Sequence, residues 1–171
     1  MFTGTYYPAS YFAPTYWPGT GSARADIREA VVAALRADAA LSALVGSRVY
    51  FGSIAEDRMP GVVVELDSNR REHALDGPTG VARATFTFWG ISKVLTEDAD
   101  IAEAIRQRFD GFAGYLTAGG GRIRIRDTIL ADETDRWSPP ADATSRGVFE
   151  TPVTFAFEYD EPRPARLDAG V

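Results

Sequence analysis

The run ARATFTFWG at residues 82–90 alternates without a break: Ala82, Ala84, Phe86 and Phe88 fall on one side of an extended chain, Arg83, Thr85 and Thr87 on the other. Successive side chains of a strand point to opposite faces, so this stretch predicts a sheet with one apolar and one polar face. The pattern returns at residues 147–159, where Val153, Phe155, Phe157 and Tyr159 share a face and Pro152 predicts an edge position or a bulge. An apolar sheet face must be covered, and the covering elements are legible too.

A helix is predicted from Asp26, whose carboxylate caps free N–H groups and is followed at capping-box spacing by Glu29; Ile27, Val31 and Leu35 line its buried side. DAALSALVG at 38–46 reads as a further short helical turn carrying Leu41, Leu44 and Val45 and stopped by Gly46. The second main helix starts near Thr96. Glu97 and Asp98 sit against the positive end of its dipole, Ile101, Ile105 and Phe109 form its buried stripe, and Gly111 ends it. Strands are predicted at RVYF (48–51), GVVVEL (61–66) and RIRIRDTIL (122–130), the last with Ile123 and Ile125 on one face and Arg122, Arg124 and Arg126 on the other. Between the strands at 61–66 and 82–90, HALDGPTG carries turn pairs and predicts an antiparallel hairpin with a long tip.

The order helix, strand, hairpin, helix, two strands gives the fold class α+β: a mostly antiparallel sheet packed by two helices on one face. The segment around the second main helix is the one place in that order for a parallel crossover. Three units divide the chain: an extended aromatic and Pro-rich arm at 1–23, the α+β domain at 24–160, and a flexible polar tail at 161–171.

The arm contains YYPASYFAPTYWPGT (6–20), three pentads that open on Tyr6-Tyr7, Tyr11-Phe12 and Tyr16-Trp17, with no charged residue before Arg24. A five-residue spacing fits neither helix nor strand, and proline holds itself and its predecessor extended. Aromatics exposed in such density are an aggregation hazard unless covered, and Tyr and Trp carry binding energy at interfaces. These six residues are therefore expected to be buried in use, either folded back on their own domain or docked on a partner.

A net charge of −6 argues against a protein that grips phosphate backbones. With no cysteine and one histidine, disulfides, thiolate zinc sites and multi-histidine metal sites are excluded. His73, in the expected hairpin tip, reads as a solvated loop residue rather than a catalytic base. No G-x-S-x-G occurs, and the glycines of GTGSAR (19–24) lack both a preceding strand and a following Lys-Ser/Thr. The acidic DETD (132–135), with Asp127 and Asp142 near it in sequence, matches no EF-hand. No catalytic, cofactor-binding or metal-binding residue is assigned, and no cofactor. The row of Arg122, Arg124 and Arg126 has two readings: a solubilised sheet face, or donors facing carboxylates on a neighbouring subunit, with Asp132, Glu133 and Asp135 as counterparts. No basic n-region or unbroken apolar stretch opens the chain, and Pro8, Pro14 and Pro18 interrupt any membrane helix, so use without export through a membrane is expected.

DAALSALVGSRVYFG (38–52), MPGVVVE (59–65), HALDGPTGVARATFTFWG (73–90), IAEAIRQRFDGF (101–112) and DETDRW followed by VTFAFEY make up a pattern in order. It is similar to the tail-completion, or tail-terminator, family of long-tailed bacteriophages and related gene transfer agents, over roughly residues 27 to 160. The resemblance implies an α+β subunit that assembles as a hexameric ring on the head-proximal end of the tail tube and joins it to the neck, with no catalysis and no catalytic residues to carry over. The long aromatic arm departs from the family pattern.

The leading reading is thus a structural virion protein at the tail–neck junction, a tail terminator or head-to-tail joining ring subunit assembled in the host bacterial cytoplasm. Its expected partners are further copies of itself, the tail tube protein and neck or head-completion proteins; DNA passes through the lumen without specific binding, and no membrane is involved. A second reading is a small-ligand-binding or enzymatic α+β domain with a pocket under the hairpin near His73 and Trp89. A third, nucleic-acid binding through the arginine row and the arm aromatics, lacks the surrounding basic groove that such binding uses.

Overall fold

The structure, a computed structural model, describes residues 26–55, 58–75, 77–139 and 147–161; the aromatic arm and the tail beyond Glu161 lie outside them. Three helices, α1 (Ile27–Arg36), α2 (Ala39–Val45) and α3 (Leu95–Phe109), accompany seven strands: β1 (Val49–Phe51), β2 (Gly61–Ala74), β3 (Gly77–Ser92), β4 (Gly114–Ala118), β5 (Gly121–Glu133), β6 (Arg136–Ser138) and β7 (Val148–Asp160). The fold is α+β with a mostly antiparallel sheet in the order β1-β2-β3-β7-β5-β4, and β6 adds to β7. The helices start where side chains can take up free N–H groups. Asp26 accepts from the Arg28 amide at 2.9 Å and Asp38 from the Leu41 amide at 2.9 Å, while Gly46, at φ +61°, ends α2.

Ala82, Ala84, Phe86 and Phe88 of β3 and Val153, Phe155, Phe157 and Tyr159 of β7 are all buried, as their alternation predicts. Ile101, Ile105 and Phe109 of α3 close over them. The Phe109 ring lies 5.4 Å from that of Phe88, 5.1 Å from Phe157 and 6.1 Å from Phe155, a set of stacked and edge-on contacts that ties the helix to the two central strands. Helix α1 touches both outer strands, β1 and β4, so the sheet curls into half a barrel with α1 across its opening.

Four features differ from the sequence pattern. The parallel pair involves β1 and β2, linked by residues 52–60, and not the segment around α3, which joins the non-adjacent β3 and β4. The hairpin tip is short: β2 runs to Ala74 and β3 starts at Gly77, so most of HALDGPTG is ladder. That ladder is made by backbone, with side chains exposed or half-exposed, and so leaves no apolar alternation to read. Pro152 sits in a central strand rather than at an edge. It faces Trp89 on one side, and on the other meets the break between β5 and β6, where Thr134 donates its amide to the Pro152 carbonyl at 3.2 Å. A residue without an N–H is tolerated where the neighbouring ladder is interrupted. Finally, β5 carries extra residues at Arg126 and Ala131 against β7, which shift its phase so that Thr128 is buried and Ile129 exposed.

Candidate functional site

Helix α3 begins at Val94 without a side-chain cap, and its first turn is anchored by Asp98 instead. The sequence places Glu97 and Asp98 against the helix dipole; of the two, Asp98 turns inward and is 2% exposed. It accepts the Thr151 amide on Oδ1 at 3.2 Å and the Thr151 hydroxyl on Oδ2 at 2.6 Å, and Asp135 Oδ1 lies 3.2 Å from the same hydroxyl. Burial pushes the Asp98 carboxyl above its usual range; the two Thr151 donors oppose this, and the charges of Asp135 and Glu150 add to it. Gly90 makes room for the arrangement, since a Cβ there would lie 3.1 Å from Ile101 Cγ2 and 3.3 Å from Asp98 Oδ1. The carboxylate is engaged on both oxygens by β7, and the cluster acts as a clasp between helix and sheet. Its signal in the sequence is slight: an acidic residue and a glycine that each have commoner explanations.

The two charged groups singled out in β5 lie apart. Arg126 Nε donates to Asp160 Oδ1 at 2.6 Å, Arg124 Nη1 is 3.9 Å from Asp160 Oδ2, and the Arg122 guanidinium stacks 4.2 Å over the Tyr115 ring. At the far end of the strand, Glu133 Oε2 is 3.7 Å from Arg106 Nη1, Asp135 joins Thr151, and Asp132 is exposed. Within one subunit, therefore, the arginine row and DETD do not meet. Beside the row, where β4 begins, Ala113, Gly114, Arg124, Ile125 and Arg126 line a hollow of about 470 Å³.

His73 and Trp89 do not share a pocket. His73 is exposed near the end of the ribbon, paired with Pro78, its Nδ1 3.3 Å from the Arg71 carbonyl. Trp89 lies at the other end, paired with Val63; its Nε1 donates to Glu65 at 2.9 Å and the Arg136 guanidinium lies 5.5 Å over its ring. Among the described residues no three His, Asp or Glu side chains group to hold a metal ion, and no helix is long and apolar enough to cross a membrane.

Besides Phe51 of β1, Tyr115 of β4 and Ile129 of β5, exposed large apolar side chains lie at the two ends of the subunit. Leu75 stands bare at the tip of the β2–β3 ribbon. Val94, Leu95 and the 58%-exposed Trp137 lie at the opposite end, where β3 finishes and β6 and β7 begin. A short strand such as β6 has no periodicity to announce it, so Trp137 escapes a sequence reading. The arm residues Tyr6, Tyr7, Tyr11, Phe12, Tyr16 and Trp17 fall outside the described residues.

The same fold occurs in a solved structure described as "Virion of native gene transfer agent (GTA) particle", one chain of which aligns with a TM-score of 0.58 at 22% identity, covering 78% of this chain and 94% of that one. No curated protein sequence matches. The family model described as tail completion protein gp17 matches residues 29–149, from α1 into β7. The class is that of phage tail structural proteins. Within it, the chain belongs to the tail completion protein gp17 family.

Proposed function

We propose that this protein is a ring-forming tail terminator that caps the tail tube and joins it to the neck, without catalysis of its own. The observation that carries this reading is the family match over residues 29–149. The geometry supports it. The flanks of the sheet differ, with the β2–β3 ribbon towards one and the hollow beside β4 at the other, as head-to-tail contacts around a closed ring require. The two ends of the subunit also differ, which suits a joint between unlike partners: tube on one side, neck or head-completion proteins on the other. A ring of copies each carrying −6 repels DNA passing through its lumen rather than holding it. The aromatic arm docks on an adjacent subunit or a neck protein, and Arg122, Arg124 and Arg126 face carboxylates of a neighbouring copy.

Removing the gene tests the role. The reading expects heads and tails that fail to join, with tails of uncontrolled length, and rescue when the protein is supplied separately. Joined particles with tails of normal length contradict it.

A further inference from the structure

Beyond the rung that joins Val81 to Asp160 of β7, Glu161 still donates its amide to the Gly80 carbonyl at 2.9 Å, and past that contact the β2–β3 ribbon continues, among the described residues, as two strands. At about 3.3 Å per residue it overhangs the sheet by roughly 10–15 Å. Leu75 at its tip is fully exposed, and Glu72 is exposed close by. Two strands alone are marginal in water, so a ribbon ending in a bare leucine is a surface made to be covered.

The flank of the sheet at β4 carries a hollow. It is lined by the exposed Ala113, by Gly114 and the buried Ile125, and by Arg124 and Arg126, which contribute charge. Those two guanidiniums share the single carboxylate of Asp160, which leaves an excess of positive charge in a chain of net −6. A tip with a leucine and a carboxylate complements a hollow that offers an exposed alanine and two arginines. In the subunit itself β7 and β5 separate the ribbon from β4, and the ribbon runs along its strands, past the end of the sheet, rather than across them.

We propose that the ribbon of one copy seats Leu75 in the hollow of the next copy, with Glu72 facing Arg124 and Arg126. This rests on the ring reading and names its contact. It gives the arginines a counterpart other than DETD, where Glu133 and Asp135 are already engaged by Arg106 and Thr151 inside the subunit.

Because the chain has no cysteine, Leu75→Cys with Ala113→Cys supplies the intended disulfide pair on an empty background. Oxidation of the purified double variant is expected to give a covalent ladder rising to ring size, with the 75–113 disulfide peptide recovered by mass spectrometry; Leu75→Cys alone gives nothing beyond a dimer. In the same background Arg124→Glu with Arg126→Glu lowers the ladder yield about ten-fold, and adding Glu72→Arg restores it, with circular dichroism confirming that each variant is folded. Rings seen by native mass measurement without the 75–113 peptide overturn the contact and leave the ring reading standing. A chain that is monomeric at every concentration overturns both.

Discussion

Asp98 receives the Thr151 hydroxyl at 2.6 Å and the Thr151 amide at 3.2 Å, so one side chain from the first turn of α3 holds two donors of β7. Asp98→Ala takes the carboxylate from the Thr151 amide and leaves the hydroxyl only Asp135, and is expected to cost about 1–3 kcal/mol of stability, read from urea unfolding. A change near zero contradicts the clasp.

The same carboxyl makes stability depend on pH. Burial raises its pKa in the folded protein, so the native state keeps its proton to a higher pH than the unfolded chain does. Its contribution is complete below the unfolded-state pKa and is lost as pH rises through the raised folded value. Asp98→Asn cannot ionise and flattens this part of the stability curve, measured by unfolding at a series of pH values. An unaltered slope shows that other groups set it.

Packing around Phe109 and Gly90 gives opposite tests of the core. Phe109→Ala opens a void among Phe88, Phe155 and Phe157 and is expected to cost about 3–5 kcal/mol. Gly90→Ala brings a methyl to 3.1 Å from Ile101 Cγ2 and 3.3 Å from Asp98 Oδ1, which requires α3 to give way by a few tenths of an ångström, at an expected cost of about 1 kcal/mol. Thermal unfolding of the two variants checks both, and a Phe109→Ala protein as stable as the parent contradicts the packing of α3 on β3 and β7.

For the arm, deleting residues 2–20 is expected to leave the domain folded and weaken attachment to the particle. Replacing Tyr11, Phe12, Tyr16 and Trp17 with Ala acts in the same direction, at about 2 kcal/mol for each buried interface aromatic. Loss of folding on deletion points instead to an arm that covers its own domain, and unchanged particle binding by the four-alanine variant defeats docking.

The central architecture was legible because its strands are buried on one face only: the alternations at 82–90 and 153–159 and the Ile101-Ile105-Phe109 stripe each declare a face. The ribbon beyond Arg71, the short β6 and the role of Pro152 were not, because backbone pairing and chain crossings leave little mark on side-chain pattern. Asp98 escaped for another reason. An acid in a helix's first turn is ordinary, and only the position of Thr151, distant in sequence, turns it inward. The arginine row was visible, but its nearest carboxylate, Asp160, lies on β7 and becomes a neighbour only through the β5–β7 pairing.

Cryo-electron microscopy of intact particles tests the central claim most directly. The account predicts a closed ring of these half-barrels between the last ring of the tail tube and the neck, each fitted by β1–β7 with α1 across its opening. A resolved junction built wholly of other chains, with this protein absent or placed elsewhere, contradicts it.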